Sequence, residues 1–289
     1  MTAPAAAPSA LRRRGDLDVL TWPVFDAFDV DVIVTTRHGG VSSGPYASLN
    51  LGLHVGDAEA DVLENRRRAA IALDADPGDF VFCVQAHGPN VRVVTAAGRG
   101  SGALTLKDAI PATDALVTAD PGVVLTVMVA DCVPIVLHDP VAHVLACVHA
   151  GWRGTVARVS EAAVTAMRSL GSEPADVIAG LGPAIAPDRY QVGEDVREAA
   201  RQGLGAGAAR VIREDGTGKW LFDLWTANRL VLRDAGVAEE NMHVAAIPTG
   251  SDPGLFFSDR EVRPCGRFAA MARLRPGDPE DPKHPKDGR

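Results

Sequence analysis

Two residues capable of chemistry, Cys132 and His149, stand on either side of a turn. The apolar run Val123–Val129 reads as a buried strand. Ala-Asp-Cys follows it, then the short apolar run Ile135-Val136-Leu137, the turn signal His138-Asp139-Pro140, and the strand-like run His143–His149. If the last two runs pair antiparallel about a turn centred on Pro140–Val141, Cys132 comes directly opposite His149. Directly opposed side chains lie roughly 5 Å apart at Cβ, close enough to share a metal ion or a proton. Cys132 sits beside Asp131 and two residues before Pro134, which cannot donate to a ladder. Cys83 and Cys147 are better placed to be ordinary core thiols.

Three other segments bear on the pair. In Val84-Gln85-Ala86-His87-Gly88 a single histidine precedes a predicted strand. If His87 reaches Cys132 and His149, the set becomes two imidazoles and a thiol, and three protein ligands with one open position is the pattern of catalytic zinc. Spacing alone does not decide whether it does. The segment Thr35–Ser42 leaves a strand into a Gly-rich loop whose amides could line an anion site with Arg37 as the cation. In His149-Ala150-Gly151-Trp152-Arg153-Gly154 the glycines permit a tight turn, and a following helix would offer free amides to an anion beneath Arg153.

These residues need a scaffold, and 289 residues suffice for one large domain. The proportions, 46% apolar and 23% charged, are those of an ordinary globular protein. A net charge of −8 argues against nucleic acid or an anionic membrane as partner, but permits a small anionic substrate in a local arginine cluster. No apolar stretch is long enough to span a membrane. Four scattered cysteines do not make a disulfide framework, so a reducing cytoplasm is the expected compartment. Residues 1–16 and 276–289, rich in Pro and charge, read as disordered tails around a catalytic domain over 17–275. Within it, helices are expected at Asp57–Leu73, Thr155–Leu170, Val192–Arg201 and Asp223–Ala235. Strands are expected at Val32–Thr36, Val91–Thr95, Val123–Val129, Ile135–Leu137, His143–His149, Val177–Leu181 and His243–Ile247. Strands and helices do not alternate regularly, so the fold class is mixed α/β (α+β) with largely antiparallel pairing.

Taken together, TTRHGGVSSGPYASLNLGLHVGD (35–57), VQAHG, ATDALVT (112–118), VADCVPIVLHDP, HAGWRG and LGPAIAP resemble the YfiH/laccase-domain family across roughly residues 20–274. Its members have been described as polyphenol oxidases of multicopper type, as purine nucleoside phosphorylases with adenosine deaminase activity, and as peptidoglycan editing factors. The resemblance implies a single domain of layered α/β/β/α architecture. It also implies one metal held by His87, Cys132 and His149. It places the family's loop arginine at Arg37, its Ser-Leu-Asn asparagine at Asn50, and its C-terminal motif at Phe256-Phe257-Ser258 and Gly266-Arg267. The chain departs from the family pattern after FFS, where it has Glu261 and Val262-Arg263, and after LGPAIAP, where Asp188-Arg189 replaces a frequent cysteine pair.

The resemblance points to a zinc-dependent purine nucleoside enzyme. It would cleave adenosine, inosine, guanosine or methylthioadenosine with phosphate, and deaminate adenosine through water activated by zinc. Arg37, Arg153 or Arg267 would hold the phosphate, Asn50 would contact substrate, and Asp131 would act as acid or base. A second reading is a Cys–His amidohydrolase editing peptidoglycan precursors, with Cys132 as nucleophile and His149 as base. A copper polyphenol oxidase is disfavoured, because the eight histidines include no His-x-His pair, although Cys/His sites bind copper tightly. The partners expected are therefore a nucleoside and phosphate, with no nucleic acid and no membrane.

Overall fold

The computed structural model describes residues 9–250 and 254–276. The apolar runs become strands β1 (Ala10–Arg14), β2 (Leu17–Thr21), β3 (Val30–Thr35), β4 (Phe80–Val81), β5 (Val91–Val93) and β6 (Ala115–Thr118). They continue as β7 (Val124–Val129), β8 (Val133–Asp139), β9 (Val144–Ala150), β10 (Ile178–Leu181), β11 (Met242–Val244) and β12 (Phe268–Leu274). Two six-stranded sheets result, in the orders β1-β2-β3-β12-β7-β4 and β11-β10-β8-β9-β6-β5. Most neighbours are antiparallel, whereas β4·β7, β5·β6 and β10·β11 are parallel.

Side-chain alternation along the strands builds the layers. Leu20, Val34, Leu125, Val136, Leu145 and Phe268 fill the space between the sheets. Helix α1 (Glu59–Ala72) packs Ala69 and Ala70 on the outer face of the first sheet, against Leu17, Ile33 and Met271. The second sheet turns Val133, Ile135 and Val148 towards α3 (Val159–Arg168), α4 (Glu194–Leu204) and α5 (Leu224–Asp234). The architecture is the layered α/β/β/α sandwich. Among the described residues no helix is long and apolar enough to cross a membrane.

The β8–β9 hairpin that carries the chemistry differs in register from the expectation. Pro134, not Cys132, pairs with His149, and Asp139 pairs with Val144. The loop is longer than a two-residue turn because Asp139 Oδ1 accepts from the amides of Val141 (2.8 Å) and Ala142 (2.9 Å). His143 then closes it in the left-handed region at φ 53°. A shift of two residues keeps every side chain on its face. Cys132 and His149 therefore still look the same way, one diagonal apart.

Two further expectations need correction. The helix expected over 155–170 is two, α2 (Trp152–Val156) and α3, broken where Arg158 takes φ 62°. Asn228 of α5 bridges the break, donating to Thr155 Oγ1 and accepting from Ser160 Oγ, both at 3.0 Å. The expected N-terminal tail is corrected over Ala10–Arg14, which pairs with β2 as an edge strand. Arg12 also forks onto Asp26 at 2.9 and 2.7 Å. Its arginines, read as the mark of an unpacked segment, instead suit a solvent-facing sheet edge. The expected tails over residues 1–8 and 277–289 lie outside the described residues.

Deleting residues 1–15 removes this edge strand and the Arg12–Asp26 fork. A loss of about 1–2 kcal/mol is expected, or about 3–6 °C in melting temperature for a domain of this size, with metal content unchanged. An unaltered melting curve would show that β1 adds no stability.

Candidate metal centre

The site forms at one open end of the two-sheet sandwich. Strand β7 belongs to the first sheet and β8 to the second, so Ala130-Asp131-Cys132 is the crossover between them. Asp131 turns this corner with a left-handed backbone, φ 85°. Cys132 then points towards the inter-sheet core, as Val136 does further along β8. His149 in β9 follows the inward face of Leu145 and Cys147. His87 arrives on the loop after β4, itself at φ 58°. Gln85 docks that loop on β7: its Nε2 donates to the Met128 carbonyl (2.7 Å) and its Oε1 accepts from the Met128 amide (2.8 Å).

One carboxylate aligns both imidazoles. Asp114, fully buried just before β6, accepts from His149 Nδ1 at 2.8 Å and from the His87 amide at 2.9 Å, both on Oδ1. Its Oδ2 accepts from the amides of Gly88 (2.8 Å) and Ala86 (3.2 Å), and its carbonyl accepts from the His149 amide (2.7 Å). With Nδ1–H given to Asp114, His149 turns Nε2 towards Cys132, the usual carboxylate–histidine arrangement behind a metal, in which a neutral imidazole would offer the Nε2 lone pair. The donor atoms of His87, Cys132 and His149 lie within 4.8 Å of one another. Cys132 Sγ is 3.9 Å from His87 Nε2, and the two imidazole rings meet edge to face with centroids 4.6 Å apart. Gly151 supplies the room: a Cβ there would lie 2.8 Å from Cys132 Sγ and 2.9 Å from His87 Cδ2.

The electrostatics are those of a thiolate–imidazolium pair in the metal-free site, from which a bound metal would displace the His149 proton. Burial would raise the Cys132 thiol, but His149 and His87 outweigh it and bring it down to about 6. Burial would lower His149, but Cys132 and Asp114 raise it to about 9. Burial likewise works against ionised Asp114, yet His149 and the Gly88 and His87 amides hold it below the usual carboxylate range. By contrast, burial pushes Cys83 up to about 12 and moves Cys147 upward as well.

Above the three donors opens a cavity of about 500 Å3, walled by Trp152, Arg153, Tyr190, Arg260, Arg263 and Arg267. Asp259 ties two of these arginines together, at 2.8 Å from Arg263 Nε and 3.3 Å from Arg267 Nη2. Arg153 and Arg267 thus stand where anion binding was expected, but Arg37 and Asn50 do not line the cavity. The Arg37 guanidinium donates to the Ala47 carbonyl (2.8 and 2.7 Å) and stacks 4.6 Å from the Phe257 ring, bracing its own loop. Asn50 is fully buried. It donates to Asp57 (2.8 Å) and accepts from the amides of Gly52 (3.0 Å) and Arg267 (2.8 Å), so its amide clamps chain segments together.

The helix terminus proposed as an anion site belongs to α2, five residues long and too short to add a useful dipole. Asp131 lies at the cavity, but both its carboxylate oxygens are engaged, by the Thr249 hydroxyl and the Arg260 amide, which opposes an acid–base role. Sequence reasoning missed Asp114, Tyr190 and Arg260. Asp114 stood in plain view as the only charge opening the apolar strand ALVT.

Residues 31–275 match the family described as multi-copper polyphenol oxidoreductase laccase. The chain is 41% identical over 240 residues to the purine nucleoside phosphorylase YlmD of Geobacillus stearothermophilus, covering 82% of this chain and 88% of that one. It is 37% identical over 233 residues to adenosine deaminase RL5 of an unknown prokaryotic organism, covering 81% and 89%. The crystal structure of the Bacillus licheniformis hypothetical protein YfiH matches with a TM-score of 0.88 at 34% identity, over 92% of this chain and 99% of that one.

Asp114→Asn removes the charge behind His149 and, with its Nδ2 in the place of Oδ2, mismatches the Ala86 and Gly88 amides. Metal affinity measured by competition with a chelating dye should fall about 10–100-fold; wild-type affinity would show that Asp114 does not orient the ligands. In chelator-treated protein, iodoacetamide should label Cys132 ahead of the other thiols. A lowered folded pKa means the thiolate persists above it and is lost as pH falls through about 6. Labelling should therefore be nearly flat from pH 7 to 8. A rate rising about tenfold across that interval, the behaviour of an ordinary thiol, would contradict the pairing with His149.

Proposed function

We propose that this chain, which belongs to the multi-copper polyphenol oxidoreductase laccase family, is a zinc-dependent purine nucleoside enzyme. It cleaves adenosine, inosine, guanosine and methylthioadenosine with phosphate, and deaminates adenosine. The observation that carries this reading is the donor triangle of His87, Cys132 and His149, backed by Asp114, at the foot of an arginine-rich cavity. Relatives named as purine nucleoside phosphorylase and adenosine deaminase support it.

Two imidazole nitrogens and a thiolate with an open side suit zinc as a catalytic ion. The same donors also attract copper. Among the described residues, however, this is the one group of three possible ligands, fewer than a multicopper centre employs. Zinc held there supplies a Lewis acid able to activate water near neutral pH.

The remaining work falls to the chain. A cavity of about 500 Å3 lies within the ordinary range for small-molecule sites, about 300–1,000 Å3. Trp152 and Tyr190 add apolar surface to the lining beside which a purine would sit, and the guanidinium groups on the wall neutralise phosphate. In phosphorolysis a phosphate oxygen bonds to the anomeric carbon as the glycosidic C–N bond breaks. Its electron pair passes to the purine, which takes up a proton, and the other product is ribose 1-phosphate, or its 5-methylthio counterpart from methylthioadenosine. In deamination water adds at C6 and ammonia departs.

A specific geometry favours a second reading. With His149 Nδ1 bonded to Asp114 at 2.8 Å and its ring beside Cys132, the metal-free site has the order nucleophile, base and orienting carboxylate of a thiol hydrolase. Such an enzyme would be the Cys–His amidohydrolase acting on peptidoglycan precursors.

Elemental analysis combined with nucleoside turnover, with and without phosphate, separates the two. The nucleoside reading predicts one zinc per chain, phosphate-dependent release of base, and loss of both activities on chelation. Cys132→Ser should lose metal and turnover together. Cys147→Ser, whose thiol is buried 3.5 Å from the Leu125 carbonyl, should keep both. Metal-free amide hydrolysis abolished by alkylation would establish the thiol hydrolase instead.

A further inference from the structure

The four cavity arginines are not equivalent. Arg263 and Arg267 share the single carboxylate of Asp259, which offsets one of their two charges. The neighbouring Glu261 is taken by Arg189 at 3.0 Å. Arg153 and Arg260 differ: among the described residues no carboxylate pairs with either guanidinium. Each instead lies against an aromatic ring, Arg153 4.3 Å from Trp152 and Arg260 5.1 Å from Tyr190. Arg260 Nη1 also donates to the Gln191 carbonyl at 3.1 Å. Two cations that no described carboxylate neutralises line one cavity and match the charge of a phosphate dianion.

A single buried carboxylate holds Arg260 in place. Asp131 Oδ2 accepts from the Arg260 backbone amide at 2.7 Å, Oδ1 accepts from the Thr249 hydroxyl, and the Asp131 carbonyl accepts from the Ile185 amide at 3.0 Å. These bonds tie three distant segments to the corner that precedes Cys132. We propose that Arg153 and Arg260 form the oxyanion seat of the cavity, and that Asp131 is the positioning residue that sets Arg260 in it. The proposal rests on the phosphorolytic reading and deepens it: the phosphate end and the metal end of the cavity meet at two consecutive residues, Asp131 and Cys132.

Asp131→Asn is the direct test. Asparagine tolerates the left-handed backbone, and its Oδ1 can keep the Thr249 bond. Its Nδ2, however, faces the Arg260 amide donor to donor. The KM for phosphate should rise about tenfold, the value of one charge-assisted contact, and should exceed any fall in kcat at least about fivefold. Zinc content should stay at one per chain. Inorganic phosphate should raise the melting temperature of wild type, by linkage, and raise that of the variant less. Thr249→Val, which frees only one side of the carboxylate, should move the phosphate KM in the same direction by a smaller factor.

A wild-type phosphate KM and thermal shift in Asp131→Asn would overturn the proposal and leave phosphorolysis standing. Loss of kcat at constant KM would make Asp131 an acid–base group, and loss of zinc would make it a support for Cys132; either overturns the proposal. Absence of any phosphate effect on wild type, in turnover or melting, would overturn both the seat and the phosphorolytic reading.

Discussion

The buried carboxylate of Asp114 is the contact on which the site depends. A fully enclosed charge is costly unless its oxygens are satisfied, and here three loop amides and the His149 imidazole satisfy them. The same bonds that stabilise the charge define the site. They fold the loop around His87 against the end of β6 and choose the nitrogen that His149 turns towards Cys132. Removing the carboxylate would release two of the three donors at once, from different parts of the chain.

The sandwich makes this economical. Two sheets packed face to face leave an open end, and a chain that crosses from one sheet to the other at that end must turn sharply. Asp131 makes the turn in a left-handed conformation that asparagine and aspartate tolerate better than most residues. The next residue is Cys132. Gln85 closes the opposite side by treating the Met128 backbone as a strand partner. Gly151 keeps the gap between thiol and imidazole free of a methyl group. A rigid strand supplies His149, the sheet-to-sheet corner Cys132 and a pinned loop His87, so only modest rearrangement is needed to close on an ion.

Much of this was legible before any coordinates. The period-two alternation of β8 and β9 identified the shared face of Cys132 and His149, because face depends only on parity. The register was not legible, because it depends on loop length, which the side chain of Asp139 sets by capping two amides. The break at Arg158 was hidden for a similar reason. The apolar spacing runs through it unchanged, and the partner that stabilises it, Asn228, lies about seventy residues away. Arg37 and Asn50 carried the mark of function by type and motif, yet their polar atoms are spent on loop carbonyls, amides and Asp57. Asp114 and Arg260 were missed because their roles come from backbone amides and aromatic rings supplied by remote segments. Such contacts leave no periodic trace in a sequence.

The central claim is that His87, Cys132 and His149 bind one metal ion as a set. X-ray absorption at the metal edge of the purified protein tests it most directly. One sulfur scatterer at about 2.3 Å and two imidazole nitrogens at about 2.0–2.1 Å are expected, with a light atom completing the shell. A shell of nitrogen and oxygen alone, without sulfur, would contradict it, because Cys132 would then stand outside the coordination sphere.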